Sequence, residues 1–456
     1  MTIDTDFSTD RPDDGGLWQT VKRRFADGDK EINNAALMAL LIKVGATGLG
    51  FLSQILLARL LGAAEYGVYS YYWIWLMVGG IITALGFMEA SKRFIAEYRD
   101  TGAYGLAWGF IYRVPAIILG FSSAVALVGV GIAYLLTDYL PEGHLIILLL
   151  VLACLPIFAL QDAVEGYALA FSWTGLGHVP PYILRQGFII VFMLGLVAMS
   201  QPATAQTAFI AVFCSILLAT AIQLSIFLWR ASKKLPKAKP ETDTKHWLKT
   251  SIPMVLAAAF QLCLSFIDII ILGFFVSSEL IALYFAATRI STQVAAVQFS
   301  VTSAFSQRMS GLYATGKTEE FHALIHKAAR WIFWPTLLIA VGVLIVGWPL
   351  LWLFGEEFTA AYWLLPILVA GLLARASTGG AEDALKMTGF EREEFKIKGF
   401  STVINVLLNL ALIPYYGIYG AAIATTLSLI VSAIWMEVSV RQKIGTSSFI
   451  GTLSKR

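Results

Sequence analysis

Long apolar runs separated by short polar breaks extend from about residue 34 to about residue 440. A helix needs about 20 mostly apolar residues to cross a hydrocarbon core about 30 Å thick. The runs 114–136 and 331–355 meet that need without a charged residue. The whole pattern predicts twelve transmembrane helices, near residues 34–61, 69–90, 108–136, 144–170, 182–199, 205–229, 250–275, 280–305, 329–354, 360–378, 397–414 and 418–440.

Two of the apolar stretches are too long for one crossing. Residues 186–229 and 399–436 carry no charge. The first contains Ser-Gln-Pro-Ala-Thr at 200–204, and the second contains Pro-Tyr-Tyr-Gly at 414–417. Because proline and glycine favour turns, we predict that a helix ends at each of these segments.

Lys and Arg are concentrated in alternate connections between the predicted helices. Thirty of the 33 lie in the two tails, in every second connection or at the adjoining helix ends, and Arg185 falls in the connection after helix 4. Cytoplasmic loops carry an excess of Lys and Arg, so both termini are predicted to be cytoplasmic. The remaining connections contain no Lys or Arg and are called the outer loops here: 62–68, 137–143, 200–204, 276–279, 355–359 and 415–417.

A basic connection at 230–249, which includes Pro236 and Pro240, separates six predicted helices from six. An even number of crossings in each half makes any internal repeat parallel. A weak repeat is present, since residues 55–65 resemble 269–279. The predicted division is a tail at 1–33, a six-helix bundle at 34–229, the connection at 230–249, a second six-helix bundle at 250–440 and a tail at 441–456.

The composition excludes an ordinary soluble protein. Hydrophobic residues make up 58% of the chain and charged residues 14%, against about 25% charged in typical globular domains. The net charge of +3 gives no reason to expect nucleic acid. Cys154, Cys214 and Cys263 lie in apolar runs without metal-ligand spacing. With no phosphate-binding loop and no nucleophile–base pattern, we expect no metal, no cofactor and no enzymatic activity.

Several short motifs carry a family resemblance. They are LARLLG at 57–62 followed by EYGVY at 65–69, RFIAEY at 93–98, and NVLLNL with GAAIAT between 405 and 425. Together they resemble the Wzx-like oligosaccharide flippases of the multidrug/oligosaccharidyl-lipid/polysaccharide (MOP) exporter superfamily. The resemblance implies an all-α polytopic membrane protein with about 12 transmembrane helices, in two parallel six-helix bundles around a central cavity. It also implies alternating access, with a polyprenyl-pyrophosphate-linked oligosaccharide as cargo.

Three charged residues fall inside predicted helices, where charge is costly and normally faces a cavity or a partner. They are Lys43, Asp268 and Arg289. Lys and Arg suit phosphate, so we expect Lys43 and Arg289 to contact the pyrophosphate or acidic sugars of the cargo. Both could instead reach an interface or pair with Asp268. Asp268 itself is either that structural partner or a site that couples transport to protons or sodium.

Other charges gather at the predicted cytoplasmic ends of helices 2 and 4. They are Glu89, Lys92 and Arg93 on helix 2, and Asp162 and Glu165 on helix 4. Two interpretations stay open: a closing gate of ion pairs, or ordinary interfacial charges.

The sequence therefore favours a flippase or exporter in the bacterial inner membrane that serves surface or secreted polysaccharide synthesis, such as lipopolysaccharide or exopolysaccharide. Its expected partners are the lipid-linked oligosaccharide and membrane lipid, with a polysaccharide polymerase and chain-length components as further candidates. A drug/cation antiporter of the same superfamily is the alternative within transport. A membrane polysaccharide polymerase is a third possibility, disfavoured because the outer loops are short.

Overall fold

The computed structural model describes residues 15–295, 305, 308–309 and 311–451, and the regular elements in that part of the chain are helical. Short 3₁₀ turns follow several of the helices. The helices of the described residues are α1 (Gly15–Thr83), α2 (Phe87–Asp100), α3 (Tyr104–Leu135), α4 (His144–Ala170), α5 (Thr174–Val179), α6 (Arg185–Ala198), α7 (Ala205–Lys234), α8 (Thr244–Leu272), α9 (Ser278–Ser291), α10 (Thr318–Phe354), α11 (Leu364–Ser377), α12 (Ala381–Met387) and α13 (Glu391–Ile444).

Length and composition identify seven membrane-spanning candidates in the described residues, or eight if the bent pair α11 and α12 is one span. Two of the long helices cannot be single crossings. Straight, α1 would measure roughly 100 Å and α13 roughly 80 Å, against a hydrocarbon core of about 30 Å. Each bends at a glycine with a left-handed backbone, Gly62 (φ 72°) and Gly417 (φ 53°). Only glycine adopts this conformation without steric cost.

The predicted breaks at 200–204 and 414–417 are confirmed. Helix α6 ends at Ala198 and α7 begins at Ala205, where the Thr204 hydroxyl accepts a hydrogen bond from the Thr207 amide. The second break is the bend at Gly417. Both breaks therefore follow from local turn and capping chemistry.

The outer loops lie against one another at one face. The Glu357 carboxylate accepts a 2.6 Å hydrogen bond from the Ala63 amide, and the Glu65 carboxylate accepts one of 2.6 Å from the Ala205 amide. His144, just after the loop at 137–143, lies 3.3 Å from the Tyr72 hydroxyl. The connections that lack Lys and Arg in the sequence are thus neighbours in the structure.

The basic connection docks on α3 between the end of α7 and the start of α8. The Trp108 indole donates to the Pro236 carbonyl (3.0 Å), and the Glu241 amide donates to the Gly105 carbonyl (2.9 Å). Trp247 is fully buried, and its indole donates to the Tyr98 hydroxyl (2.9 Å). These contacts fix residues 236–247 on the first part of the chain.

We expect Gly109→Ala to destabilise this contact. A Cβ at Gly109 would lie 1.6 Å from the Glu241 carbonyl oxygen, which is far inside van der Waals contact. Relief of such an overlap costs roughly 1–3 kcal/mol, so thermal unfolding of the purified protein in detergent should shift down by a few degrees. Gly120→Ala is the control on the same helix, because its Cβ would meet no described atom within 4 Å. Equal melting temperatures for the two variants would show that the connection is not held at Gly109.

Candidate functional site

Arg289 lies near the C-terminal end of α9, beside the part of α1 that follows Gly62. Its guanidinium sits 4.6 Å from the centre of the Phe285 ring, and it lies within electrostatic reach of Tyr66 and Tyr69. Among the described residues its Nε has no hydrogen-bond partner. An aromatic ring stabilises a guanidinium only modestly, so this buried charge keeps hydrogen-bond donors for another ligand.

Arg185 is a second buried guanidinium that faces the same part of α1. Its Nη1 donates a 3.0 Å hydrogen bond to Gln161, and it lies 5.7 Å from the Trp73 ring and 5.1 Å from the Phe158 ring. It too lies within electrostatic reach of Tyr69. Its Nε is also without a partner in the described part of the chain.

The placement of Arg185 in an inner loop, as its position after predicted helix 4 suggested, is wrong. A π-helical turn over Pro180–Leu184 continues the helix from Thr174 through to Ala198, so Arg185 lies within a helix. Such turns are rare and are frequent at functional sites. The signal available in the sequence was a lone Arg four residues after a double proline, inside a mostly apolar 25-residue run.

The two arginines and Tyr69 define what we call the arginine site. Arg185 comes from α6, Arg289 from α9 and Tyr69 from α1, which packs against both of those helices. Neither arginine forms a direct salt bridge with a carboxylate in the described residues, although Glu165 and Asp162 lie within electrostatic reach of Arg185. Two guanidinium groups without a direct salt bridge are suited to an anion, above all to a phosphate that can accept two parallel hydrogen bonds.

Asp268 is buried on α8 and is not the partner of Arg289 in this structure. Its carboxylate accepts a 2.5 Å hydrogen bond from the Tyr284 hydroxyl and one of 2.9 Å from the Ile269 amide. The side chain of Lys43 lies outside the described residues. The expected cargo contacts of Lys43, Asp268 and Arg289 stay predictions.

The proposed gate charges make local contacts in the described structure. Lys92 pairs with Glu89 at 2.6 Å on the same helix, and Glu165 lies 3.1 Å from His178. Arg93 lies 4.0 Å from Glu97, again on its own helix. All of these residues, and Asp162 with them, belong to the first predicted bundle. A gate role for them stays a prediction.

The contacts that join the two predicted bundles at the outer face are instead made by α1. Arg59 donates to the backbone carbonyls of Leu353 (2.8 Å) and Trp352 (2.7 Å), and its guanidinium lies 4.7 Å from the Trp352 ring. The Glu357–Ala63 hydrogen bond described above lies beside them. We call this set of contacts the outer seal. Hydrogen bonds that involve a charged group such as the Arg59 guanidinium are stronger than those between neutral groups.

Aromatic packing completes the outer seal. Tyr66 of α1 contacts Phe285 (ring centroids 6.1 Å apart) and Phe358 (5.8 Å), and all three rings are buried. Next to them the backbones approach so closely that a Cβ at Gly67 would lie 1.8 Å from the Ser278 carbonyl oxygen. The aromatic part of the outer seal is therefore buried, whereas its Arg59 contacts are exposed, and the close approach of α1 and α9 depends on glycine at position 67.

A chain whose described residues are helical, with several helices long and apolar enough to span a membrane, is a polytopic membrane protein. The chain belongs to the polysaccharide biosynthesis protein family, whose sequence model matches residues 34–306. The resemblance to the MOP-superfamily flippases is thereby confirmed.

Known proteins agree with this assignment. The chain is 24% identical over 419 residues to the probable low-salt glycan biosynthesis flippase Agl15 of Haloferax volcanii, which covers 89% of this chain and 82% of that protein. The fold of this chain is similar to that of an inward-facing MATE-family multidrug transporter of the MOP superfamily (TM-score 0.74, 15% identity, 88% of this chain and 94% of that one). It is also similar to the inward closed conformation of the lipid II flippase MurJ (TM-score 0.65, 16% identity, 89% and 87%).

We expect Gly67→Ala to open the outer seal. The added methyl group would force α1 and α9 apart at Ser278, so the outer surface of the site should become accessible to water. The probe is Ala58→Cys, 1% exposed beside Arg59, in a chain without its three native cysteines. A membrane-impermeant maleimide should label this cysteine about tenfold faster in the Gly67→Ala chain, a change of ~1.4 kcal/mol.

Gly48→Ala is the matched control, since it lies on the same helix and its Cβ would meet no described atom within 4 Å. Labelling at the parent rate in both variants would mean that the close approach at Gly67 does not keep this face shut.

Proposed function

We propose that this protein carries a polyprenyl-pyrophosphate-linked oligosaccharide across the membrane by alternating access, for surface or secreted polysaccharide synthesis. The observation that carries the proposal is the arginine site. Two guanidinium groups with open donors face one buried surface of α1, and a pyrophosphate offers several oxygens to both at once.

The energetics favour an anionic cargo over a structural role for these arginines. Each guanidinium held within the membrane costs about 2.5–3.5 kcal/mol on insertion scales. Glu165 and Asp162 offset part of this cost for Arg185 from a distance, whereas no carboxylate in the described residues does so for Arg289. A pyrophosphate would supply the missing counter-charge during transport.

The bends and the loop contacts support twelve crossings in two six-helix bundles, at 34–229 and 250–440. If α1 and α13 each cross twice, at Gly62 and Gly417, the outer loops come to one face, as their contacts require. The arginine site then lies between the bundles, because Arg185 belongs to the first and Arg289 to the second.

The outer seal supports a cytoplasm-facing state, and the likeness to an inward-facing transporter agrees with it. In this state the headgroup enters the arginine site from the cytoplasm while the polyprenyl tail stays in lipid. Separation of Arg59 from the carbonyls of Leu353 and Trp352 would then open the outer face. Both termini lie in the cytoplasm in this arrangement.

The competing drug/cation antiporter is disfavoured by the positive charge of the arginine site. A cationic drug would meet two buried arginines at the interface where it should bind, and like charges at close range raise its free energy there. A polymerase is disfavoured because the relatives with matching folds are named flippases and transporters.

Neutralising the arginine site should abolish export while leaving the protein in the membrane. Arg185→Gln and Arg289→Gln each remove charge-assisted hydrogen bonds worth about 1.5–3 kcal/mol, so surface polysaccharide per molecule of protein should fall roughly ten- to a hundredfold. Lys at either position keeps the charge but cannot form the bidentate hydrogen bonds of a guanidinium group, so it should give an intermediate level of surface polysaccharide. Arg113→Gln, on an exposed side chain, is the control. Undiminished export by both Gln variants would remove the arginine site from the proposal.

A strain that lacks the gene tests the cargo directly. Lipids extracted from its membranes should contain the single, unpolymerised lipid-linked unit in excess, and the surface polymer should be missing. Mass spectrometry of the accumulated unit would identify the sugars. Normal polymer together with greater sensitivity to cationic compounds would instead favour the antiporter.

A further inference from the structure

The second predicted bundle contains a cavity that is separate from the arginine site. It has a volume of about 350 Å³ and lies among α8, α11, α12 and α13. Pockets that bind small molecules have volumes of about 300–1,000 Å³. We call it the polar cavity because of its lining. Half of the lining residues carry hydroxyl or amide side chains, among them Ser401, Thr402, Asn405, Thr425, Ser428 and Ser432.

The charges in the lining balance. Arg375 and Lys398 are the basic residues of the lining, and Asp268 and Glu382 are the acidic ones. Glu382 binds both cations, at 3.2 Å from Arg375 and 2.7 Å from Lys398, and Lys398 also contacts Glu394 at 2.6 Å. The basic groups are thus already neutralised, in contrast to those of the arginine site. A free anion gains little by entering such a cavity.

The neutral side chains of the lining are suited to an uncharged ligand rather than to an anion. Serine, threonine and asparagine each combine donor and acceptor capacity on a short side chain. Ser401, only 7% exposed, has no hydrogen-bond partner for its Oγ in the described part of the chain. The Asn405 Oδ1 accepts a hydrogen bond from Asn409 (3.0 Å), whereas its Nδ2 reaches Thr425 only at 3.4 Å. Buried polar atoms are normally paired, so this lining is suited to a ligand with many hydroxyl groups.

The polar cavity is linked to the arginine site through α9. Asp268, at one end of the cavity, accepts the hydrogen bond of Tyr284. Arg289 follows Tyr284 by five residues on the same helix, a rise of about 7.5 Å. Because five residues also turn by about 140° around the helix axis, a molecule that contacts both places would extend around the side of α9.

We propose that the polar cavity binds the neutral sugar residues next to the pyrophosphate, while the arginine site binds the pyrophosphate itself. This inference rests on the proposed function and assigns the two parts of the cargo to two different places. The arginine site would bind any carrier lipid of this kind, and the polar cavity would select the sugar.

Valine substitutions test the polar cavity. Ser401→Val and Ser428→Val remove a hydroxyl group and place methyl groups in the lining. Ser439→Val is the control, since Ser439 lies on the same helix, is 6% exposed like Ser428 and does not line the cavity. All variants are compared as full-length protein in nanodiscs, after their melting temperatures have been matched to the parent.

Two probes separate the two sites. One is polyprenyl pyrophosphate without sugar, and the other is the lipid-linked oligosaccharide extracted from the strain that lacks the gene. The cavity variants should bind the sugar-bearing lipid at least tenfold more weakly and the sugar-free lipid within twofold of the parent. Arg289→Gln should weaken the binding of both lipids.

Equal affinity of the cavity variants and the Ser439→Val control for the sugar-bearing lipid would overturn the inference and leave the proposed function intact. If Arg289→Gln binds both lipids as tightly as the parent, or if the strain accumulates no lipid-linked unit, the proposed function fails, and this inference fails with it.

Discussion

The bilayer requires every backbone polar group inside it to be paired within its own helix, and this constraint shapes the rest of the molecule. Helices can end only near a membrane face, so the chain turns at a few residues that tolerate unusual backbone geometry. Gly62 and Gly417 are two of them. The turn at Gly62 brings Arg59, Ala63 and Gly67 against the second part of the chain. The outer seal is thus a consequence of where α1 can bend.

Polar side chains within the membrane are held in two different ways. In the polar cavity, the basic groups are neutralised by direct salt bridges to Glu382. In the arginine site, Arg185 and Arg289 contact aromatic rings and one amide, and Glu165 and Asp162 act on Arg185 only from a distance. In the proposed function, the cargo supplies a closer counter-charge. A charge left incompletely paired at an interface marks a site where binding free energy can drive a change of state.

Much of the architecture could be predicted from the sequence, because apolar run length and turn residues act locally. The breaks at 200–204 and at Gly417 and the grouping of the outer loops follow from such signals. Arg185 was missed because it was counted with the basic residues between predicted helices 4 and 5, whereas a π-helical turn over Pro180–Leu184 makes the helix begin earlier, at Thr174. The Glu357–Ala63 bond and the Asp268–Tyr284 bond join residues far apart in sequence or on different helices, and no local pattern indicates such pairs.

The outer seal and the arginine site share α1, and this links opening to binding. Tyr66 packs against Phe285 in the outer seal, and Phe285 also stacks on the guanidinium of Arg289. A ligand that draws Arg289 away from Phe285 therefore alters a contact of the outer seal, one turn of α9 away. Movement of α9 against α1 would act on the Gly67–Ser278 approach at the same time. In the proposed function, the shared ring provides a direct physical route by which an anion in the arginine site weakens the adjacent outer seal.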